Sequence, residues 1–361
     1  MKIAILTSSP EANKKLVDTA VARGHECRII DPRKTYQYVS EYEAGFDRLY
    51  YGSDGDEPER ITAKSIDCVI NRIGSNTEYA AAVLRFMNEN LGIYCPNNPW
   101  GIIYAANKSW TLQRLSSAKI KVPRTLIAES PAHVKWIVDK IGSLPLIIKT
   151  NRGSKGKTVS IIDTKRSANS MFEFCVNAGL KVLIEEYIES EASDYRVWVV
   201  GDRVAVTMKR TAVDKDDFRA NVSRGAKGEK VELSKEDQEL AIKAAHCIGL
   251  NSAGVDILKS KKTGISYVIE VNSNPGTMVI ELTGHNVFED VIKYCEDNYK
   301  KGNINGINAS LSDSILLRDG SFMDKAITAM NENDTLKAKV KKLEEENRNK
   351  VWPLANIKYP V

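Results

Sequence analysis

Apolar residues in the first third of the chain come in short runs separated by amphipathic stretches. Residues 2–7 read as a buried strand, 10–23 as a helix ending at Gly24, and 26–30 as a strand stopped by Asp31-Pro32. Residues 68–70 read as a third short strand and 76–91 as a helix closed by Gly92. This βαβ rhythm predicts a small parallel α/β domain over 1–97, bounded by Asn97-Asn98-Pro99. One helix near 101–117 and an extended link over 122–127 lead into an α+β stretch. That stretch holds a helix near 131–141, strands at 146–150 and 158–162 around a glycine-rich loop, and a helix near 165–178. From 181 onward antiparallel-type strands dominate, at 181–187, 195–200 and 203–210, with Gly201-Asp202 as a hairpin turn. A helix over 234–248 precedes two more apolar runs, 253–258 and 267–271, and a last helix lies near 286–300.

Periodicity changes once more at the end. Residues 301–320 are rich in Asn, Gly and Ser and read as a linker. Beyond it, Ala326, Ala329, Asn333, Leu336, Val340, Leu343 and Asn347 alternate three and four apart, a heptad register with two polar residues on its seam. A coiled coil and an amphipathic helix docked on its own domain both fit this pattern. The expected division is therefore 1–97, 98–185, 186–300 and a helical tail over 301–361.

Polar residues set inside the two late apolar runs bring in chemistry. Glu270 and Asn272 are two apart, so on a strand they project from one face. With a turn around Lys262-Thr263-Gly264, Asp256 falls nearly opposite Glu270. Buried carboxylates are costly unless something positive neutralises them. Hard oxygen donors with few carboxylates suit magnesium, which keeps sites for water and substrate phosphates. The plainer alternative is carboxylates facing solvent, and the rigid Asn274-Pro275-Gly276 turn behind the trio weighs against it.

A second candidate is the stretch 149–158, Lys-Thr-Asn-Arg-Gly-Ser-Lys-Gly-Lys-Thr. Its end matches a P-loop, but Asn151 stands where that motif needs Gly, and a strand pattern follows where it needs a helix. A glycine hairpin remains, with Gly153, Ser154 and Gly156 able to fold over phosphates through backbone N–H groups and Lys149 aimed at the same anions. A solvated basic turn is the alternative.

Composition narrows the class. The chain has 361 residues, 42% hydrophobic and 27% charged, with a net charge of +5. That charge suits an acidic substrate, and no aromatic–basic interleaving of a nucleic-acid binder is visible. Six scattered cysteines without a CxxC pair argue against zinc or a disulfide framework and fit a reducing cytoplasm. No charged-then-apolar leader and no run of bilayer length are seen, so neither secretion nor membrane insertion is expected.

In order along the chain stand residues 1–6, Asn71-Arg72-Ile73-Gly74, Asn107-Lys108, Lys149 with its glycine loop, and Glu185-Glu186-Tyr187-Ile188. Asp194-Tyr195-Arg196, Asp217-Phe218-Arg219-Ala220-Asn221 with Arg224-Gly225, and the stretches 253–258 and 270–276 follow. Taken together these resemble the ATP-grasp ligases, most closely the RimK-type α-L-glutamate ligases of the ribosomal-protein-modifying family. The resemblance implies an ATP-grasp fold: a small parallel α/β domain, then two α+β subdomains that clasp ATP. It implies that Lys108 and Lys149 contact ATP phosphates, that Glu186 and the Tyr187-Ile188 backbone hold adenine, and that Asp194 holds the ribose. Asp256, Glu270 and Asn272 would carry two Mg²⁺ (or Mn²⁺) ions. Arg219, Asn221 and Arg224 would sit at the reaction centre, the first two also reaching the nucleotide. Specificity is expected near Arg72, Asn274 and the 209–228 segment.

The activity implied is ATP-dependent joining of a carboxylate to an amine through an acyl phosphate, adding glutamate or a similar amino acid to a peptide or protein C-terminus. A small-molecule acceptor, intramolecular peptide cross-linking, a kinase that stops at the phosphorylated carboxylate, and a nucleotide-gated binding protein stay open beside it. An oligomer is expected. The chain departs from the family at Asp216, where Gly is usual, at Ser223 for His and Ala226 for a second Gly, and in a spacing one residue shorter before Asp194. Nothing in the family corresponds to 301–361.

Overall fold

The apolar runs of the N-terminal third become β1 (Lys2–Leu6), α1 (Lys14–Ala22) and β2 (Glu26–Ile30). The computed structural model describes residues 1–39, 48–52, 57–74, 77–151, 158–213 and 227–299. The tyrosine-rich segment that follows forms a small antiparallel sheet, β3 (Thr35–Tyr38), β4 (Arg48–Tyr51) and β5 (Glu59–Ile61), which the apolar pattern did not announce. Its strands are three or four residues long, and Leu49 and Ile61 alone turn fully into the core. Next come β6 (Cys68–Asn71) and α2 (Thr77–Arg85). β1 lies between β2 and β6, parallel to both. Both faces of that sheet are covered, as all-parallel sheets require. Ala4, Leu6 and Val69 enter one core, and Ile3, Ile5, Cys68 and Ile70 enter another.

The single helix expected near 101–117 is two: α3 (Pro99–Ala105) and α4 (Lys108–Ser117). Asn107 adopts extended geometry between them and its side chain accepts from the Trp110 N–H, restarting the helix as an N-cap. The break sets Lys108 at the first turn of α4. The link at 122–127 contains an edge strand, β7 (Thr125–Ala128), followed by α5 (Val134–Ile141), β8 (Leu146–Thr150), β9 (Val159–Ile162), α6 (Lys165–Asn177) and β10 (Val182–Glu186). Their sheet runs β7-β10-β8-β9.

The remaining strands are β11 (Ser193–Val200), β12 (Arg203–Thr211) and β13 (Lys227–Lys230), then, after α7 (Lys235–Ile248), β14 (Ser252–Lys259) and β15 (Ser266–Asn272). They form a five-stranded antiparallel sheet in the order β13-β12-β11-β14-β15. α8 (Met278–Thr283) and α9 (Val287–Asn298) close the described chain. Trp198 of β11 meets Phe288 of α9 edge-on at 6.1 Å, in the core that also receives Ile3 and Ile5. That packing fixes the N-terminal sheet against the five-stranded one. Among the described residues no helix is long and apolar enough to cross a membrane.

Candidate active site

The hairpin β14–β15 has the register that the sequence suggests: Asp256 pairs with Glu270, and Gly254 with Asn272. Its alternation is broken at one place. Val255 faces Val271 and Ile257 faces Val268, so a bulge of one residue lies between them on β15. The bulge lets Val268 and Val271, three apart, both enter the core with Ala253, Val255 and Ile257. Asp256, Glu270 and Asn272 are left together on the opposite face. Gly254 is required there, because a Cβ at this position would stand 2.8 Å from the Pro275 side chain. The turn 273–276 thus folds tightly over the strand that carries Asp256.

Asp256 is 4% exposed and is neutralised by two arginines. Arg196, opposite it on β11, donates through Nε and, at 2.8 Å, through Nη2. Arg210 Nη2 lies 3.1 Å from its second oxygen. Arg210 in turn holds Asp194, its cross-strand partner, in a bidentate pair at 2.5 and 2.7 Å. Burial pushes the Asp256 carboxyl up, but the two guanidiniums outweigh it and hold the group below the usual carboxylate range. Burial dominates at Asp194, which rises to about 6 against the pull of Arg210, with the nearby Asp256 charge adding to the rise. Both oxygens of Asp194, the residue expected to reach a ribose, are engaged inside the sheet. Arg196 stood in the motif Asp194-Tyr195-Arg196 without an assigned role, and Arg210 was not singled out from sequence. Their signal was nonetheless present: Arg196 shares a strand face with Asp194, and the Gly201-Asp202 turn sets Arg210 opposite it.

The four-stranded sheet supplies a second charged group. Lys149 on β8 and Glu185 on β10 are diagonal neighbours, paired at 2.8 Å, with Lys149 8% and Glu185 3% exposed. The other carboxylate oxygen of Glu185, Oε1, is buried without a hydrogen-bond partner. Glu186 points the other way, and its carboxylate is taken by the backbone N–H of Arg124 at 2.8 Å and by its guanidinium at 2.8 and 2.6 Å. Tyr187 donates its hydroxyl proton to Glu189 at 3.2 Å, and Ile188 is half-buried beside it.

Helix α4 joins the two groups. Lys108 Nζ lies 3.0 Å from Glu270 Oε1. Ser109 donates from its backbone N–H and its hydroxyl to Asn151 Oδ1, at 3.0 and 2.8 Å, where the glycine loop begins. The first turn of α4 therefore touches both the phosphate-loop stem and the acidic hairpin. Gly153, Ser154 and Gly156, and likewise Arg219, Asn221 and Arg224, lie outside the described residues. Arg72 and Asn274 meet at the seam between the N-terminal sheet and the turn after β15, where Arg72 Nη1 donates to the Pro275 carbonyl at 3.1 Å.

Three carboxylates (Asp194, Asp256, Glu270) thus face three cations (Arg196, Arg210, Lys108) across the central strands. The donor types on the hairpin, two carboxylates and an amide oxygen on one strand face, are those that magnesium takes, and an ion there would share Asp256 with Arg196 and Arg210 and Glu270 with Lys108. Lys149 and the orphaned Glu185 oxygen fit a nucleotide, one as a cation for phosphate and the other as an acceptor awaiting an N–H donor.

Fold and site together define an ATP-grasp ligase. The fold is similar to that of the ATP-grasp ligase PsnB, solved with a phosphomimetic variant of minimal precursor, Mg and ADP, at TM-score 0.63 and 17% identity over 83% of this chain and 99% of that one. It is similar also to the macrocyclase MdnC of Microcystis aeruginosa bound with precursor peptide MdnA, at TM-score 0.60 and 16% identity over 82% and 100%. Residues 1–102 match the RimK PreATP-grasp domain and 105–295 the RimK-like ATP-grasp domain. The chain is 36% identical over 307 residues to a "Probable alpha-L-glutamate ligase" of Syntrophotalea carbinolica, covering 84% of this chain and 97% of that protein. It has the same identity over 306 residues to a "Probable alpha-L-glutamate ligase 2" of a Shewanella species, covering 83% and 98%. The protein belongs to the RimK-like family of ATP-grasp ligases, enzymes that use ATP and Mg²⁺.

Proposed function

We propose that the protein joins an amine to a carboxylate with hydrolysis of ATP to ADP and phosphate, adding glutamate or a similar amino acid to the C-terminus of a peptide or protein. A carboxylate oxygen attacks the γ-phosphorus and ADP leaves. The amine then attacks the acyl carbon, and phosphate departs with the C–O electron pair. The observation that carries this reading is the convergence on one face of Asp256, Glu270 and Asn272, joined to the stem of the glycine loop by Lys108 and Ser109 at the start of α4.

In this reading Asp256, Glu270 and Asn272 hold two Mg²⁺ ions (Mn²⁺ as a substitute), which neutralise phosphate charge. Lys108 and Lys149 supply fixed positive charge, with Gly153, Ser154 and Gly156 closing over the phosphates. The resemblance assigns adenine to Glu186 and the Tyr187-Ile188 backbone. The orphaned oxygen supports adding the Glu185 carboxylate, since that of Glu186 is occupied by Arg124. Asp194 anchors Arg210 on Asp256. Arg219, Asn221 and Arg224 act at the reaction centre. The chain divides at about 97, 185 and 300, works in the cytoplasm, and assembles as a homo-oligomer without nucleic acid.

A second reading keeps the chemistry and changes the acceptor to a precursor peptide cross-linked through its own side chains. It is favoured by the fold shared with a macrocyclase bound to its precursor. One experiment separates the readings: the protein is incubated with ATP, Mg²⁺ and each amino acid, with and without cell extract, following ADP release and the masses of products. Amino-acid-dependent ADP release that Asp256→Ala and Glu270→Ala abolish supports the ligase. Full activity in either variant overturns the metal assignment, and ATP-dependent loss of water from a peptide without added amino acid favours the cross-linker.

A further inference from the structure

Arginines in the five-stranded sheet answer to carboxylates, as the half-buried Arg196 and the buried Arg210 do. Arg72 does not. It stands just past the carboxyl end of β6, with its backbone N–H bonded to Leu6 O at the end of β1 at 3.0 Å. Open parallel sheets place their ligands at this edge. The residue is 9% exposed. Its Nε donates to Asn13 Oδ1 at 2.8 Å and its Nη1 to Pro275 O at 3.1 Å, while the Phe288 ring lies 5.4 Å from the guanidinium carbon. Asn13 is locked for this purpose, donating to Thr7 Oγ1 and Ser9 O at 3.0 Å each. All partners of Arg72 are neutral, and no carboxylate among the described residues pairs with it. Burial lowers the group to about 10, so it keeps its charge at neutral pH. A cation buried among neutral groups is costly unless an anion joins it.

The other side of the seam carries a second unsatisfied group. Asn274 Oδ1 is buried without a hydrogen-bond partner. Asn274 precedes the proline that Arg72 holds, and its Nδ2 lies close over Gly74, 3.5 Å from where a Cβ there would be. A charged donor and an orphaned acceptor therefore lie on the two sides of one seam, the donor bonded to the residue next to the acceptor's. An α-amino acid is their complement, with a carboxylate one carbon away from an N–H donor.

We propose that Arg72 and Asn274 form the seat of the amino-acid substrate, Arg72 holding its α-carboxylate and Asn274 Oδ1 accepting from its amine. The inference rests on the ligase reading above and names which end of the substrate the enzyme recognises. Asn274 lies in the turn that follows Asn272, so an amine held there is two residues along the chain from a metal-ligand position. The neutral amine gives one N–H to Asn274 and keeps its lone pair for the acyl carbon. As the C–N bond forms and the C–O bond breaks, the surplus proton leaves with the phosphate. The α-carboxylate takes no part in the chemistry and serves only for recognition.

The test uses the full-length protein and steady-state ADP release at saturating ATP and Mg²⁺, with cell-extract protein as the source of acceptor carboxylates and with glutamate and its α-amide varied in parallel. The wild type is expected to show a KM for the amide roughly 100-fold above that for the acid, the worth of a charge-assisted bidentate contact. Arg72→Gln should raise the KM for the acid by a similar factor, leave the KM for ATP within about twofold, and abolish the preference for acid over amide. Arg72→Lys should regain part of that preference, and Asn274→Ala should lower kcat for both substrates. An Arg72→Gln variant that loses kcat and ATP affinity together while still preferring the acid would show that Arg72 is only a strut between domains, overturning the proposal. If that variant does not fold, the wild type decides alone, since equal use of acid and amide refutes the seat. Absence of ADP release with every amino acid overturns the ligase reading itself and this inference with it.

Discussion

Asp194 separates two roles that a sequence motif cannot tell apart. A ribose contact would be an exposed carboxylate whose loss weakens ATP and leaves the fold untouched. Here Asp194 is 7% exposed, with both oxygens on Arg210, itself 5% exposed and shared with Asp256. Removing one partner of a buried ion pair leaves an uncompensated charge and costs about 3–5 kcal/mol. Part of that is recovered here because Arg210 keeps Asp256. We expect Asp194→Ala to lose about 2–4 kcal/mol, a fall in Tm on the order of 3–6 °C. Asp194→Asn, which keeps an acceptor, should lose about half of that. The assay is urea unfolding followed by tryptophan fluorescence, with Arg210→Ala and the double variant completing a cycle. Coupling between the two sites of at least about 1.5 kcal/mol is expected. The KM for ATP should move less than tenfold. An Asp194→Ala protein as stable as the wild type, with ATP binding alone impaired, would refute the structural role and return Asp194 to the ribose.

Two further outcomes follow from the same geometry. Glu185→Ala is expected to raise the dissociation constant for ADP by about tenfold or more, and Glu186→Ala by less than about threefold. Calorimetry reads both, and equal losses would sink the distinction between the two carboxylates. Glu296 is held down to about 2 by the Arg23 guanidinium, with His25 assisting against burial. A depressed carboxylic acid stabilises the fold above its unfolded value of about 4.3 and loses that contribution as pH falls toward 2. With water reaching the pair, we expect about 1–2 kcal/mol between wild type and Glu296→Gln at pH 6, vanishing near pH 2. A pH-independent difference would exclude this linkage.

Much of the β14–β15 hairpin was legible from period two alone. Asp256 opposite Glu270, with Asn272 on the same face, needed only alternation and a turn, because strand geometry is local. The N-terminal βαβ layer and the helix over 235–248 were readable for the same reason. Other features depend on partners distant in sequence. The break at Asn107 was hidden because either a continuous helix or a cap satisfies the local pattern, and tertiary contact decides. The short strands over 35–61 carry too few inward residues to show a period.

Periodicity, turn chemistry and motif spacing are properties of the chain, so most of the long elements, the family and the order of the site motifs were readable from it. What each charge faces was not. The folded chain turns Glu186 toward Arg124 and Glu185 toward Lys149, encloses Asp194 with Arg210, and buries Arg72 with no acid beside it among the described residues. The physical reason is that burying a charge is governed by the residues brought around it in space. Those residues come from strands and helices tens or hundreds of positions apart.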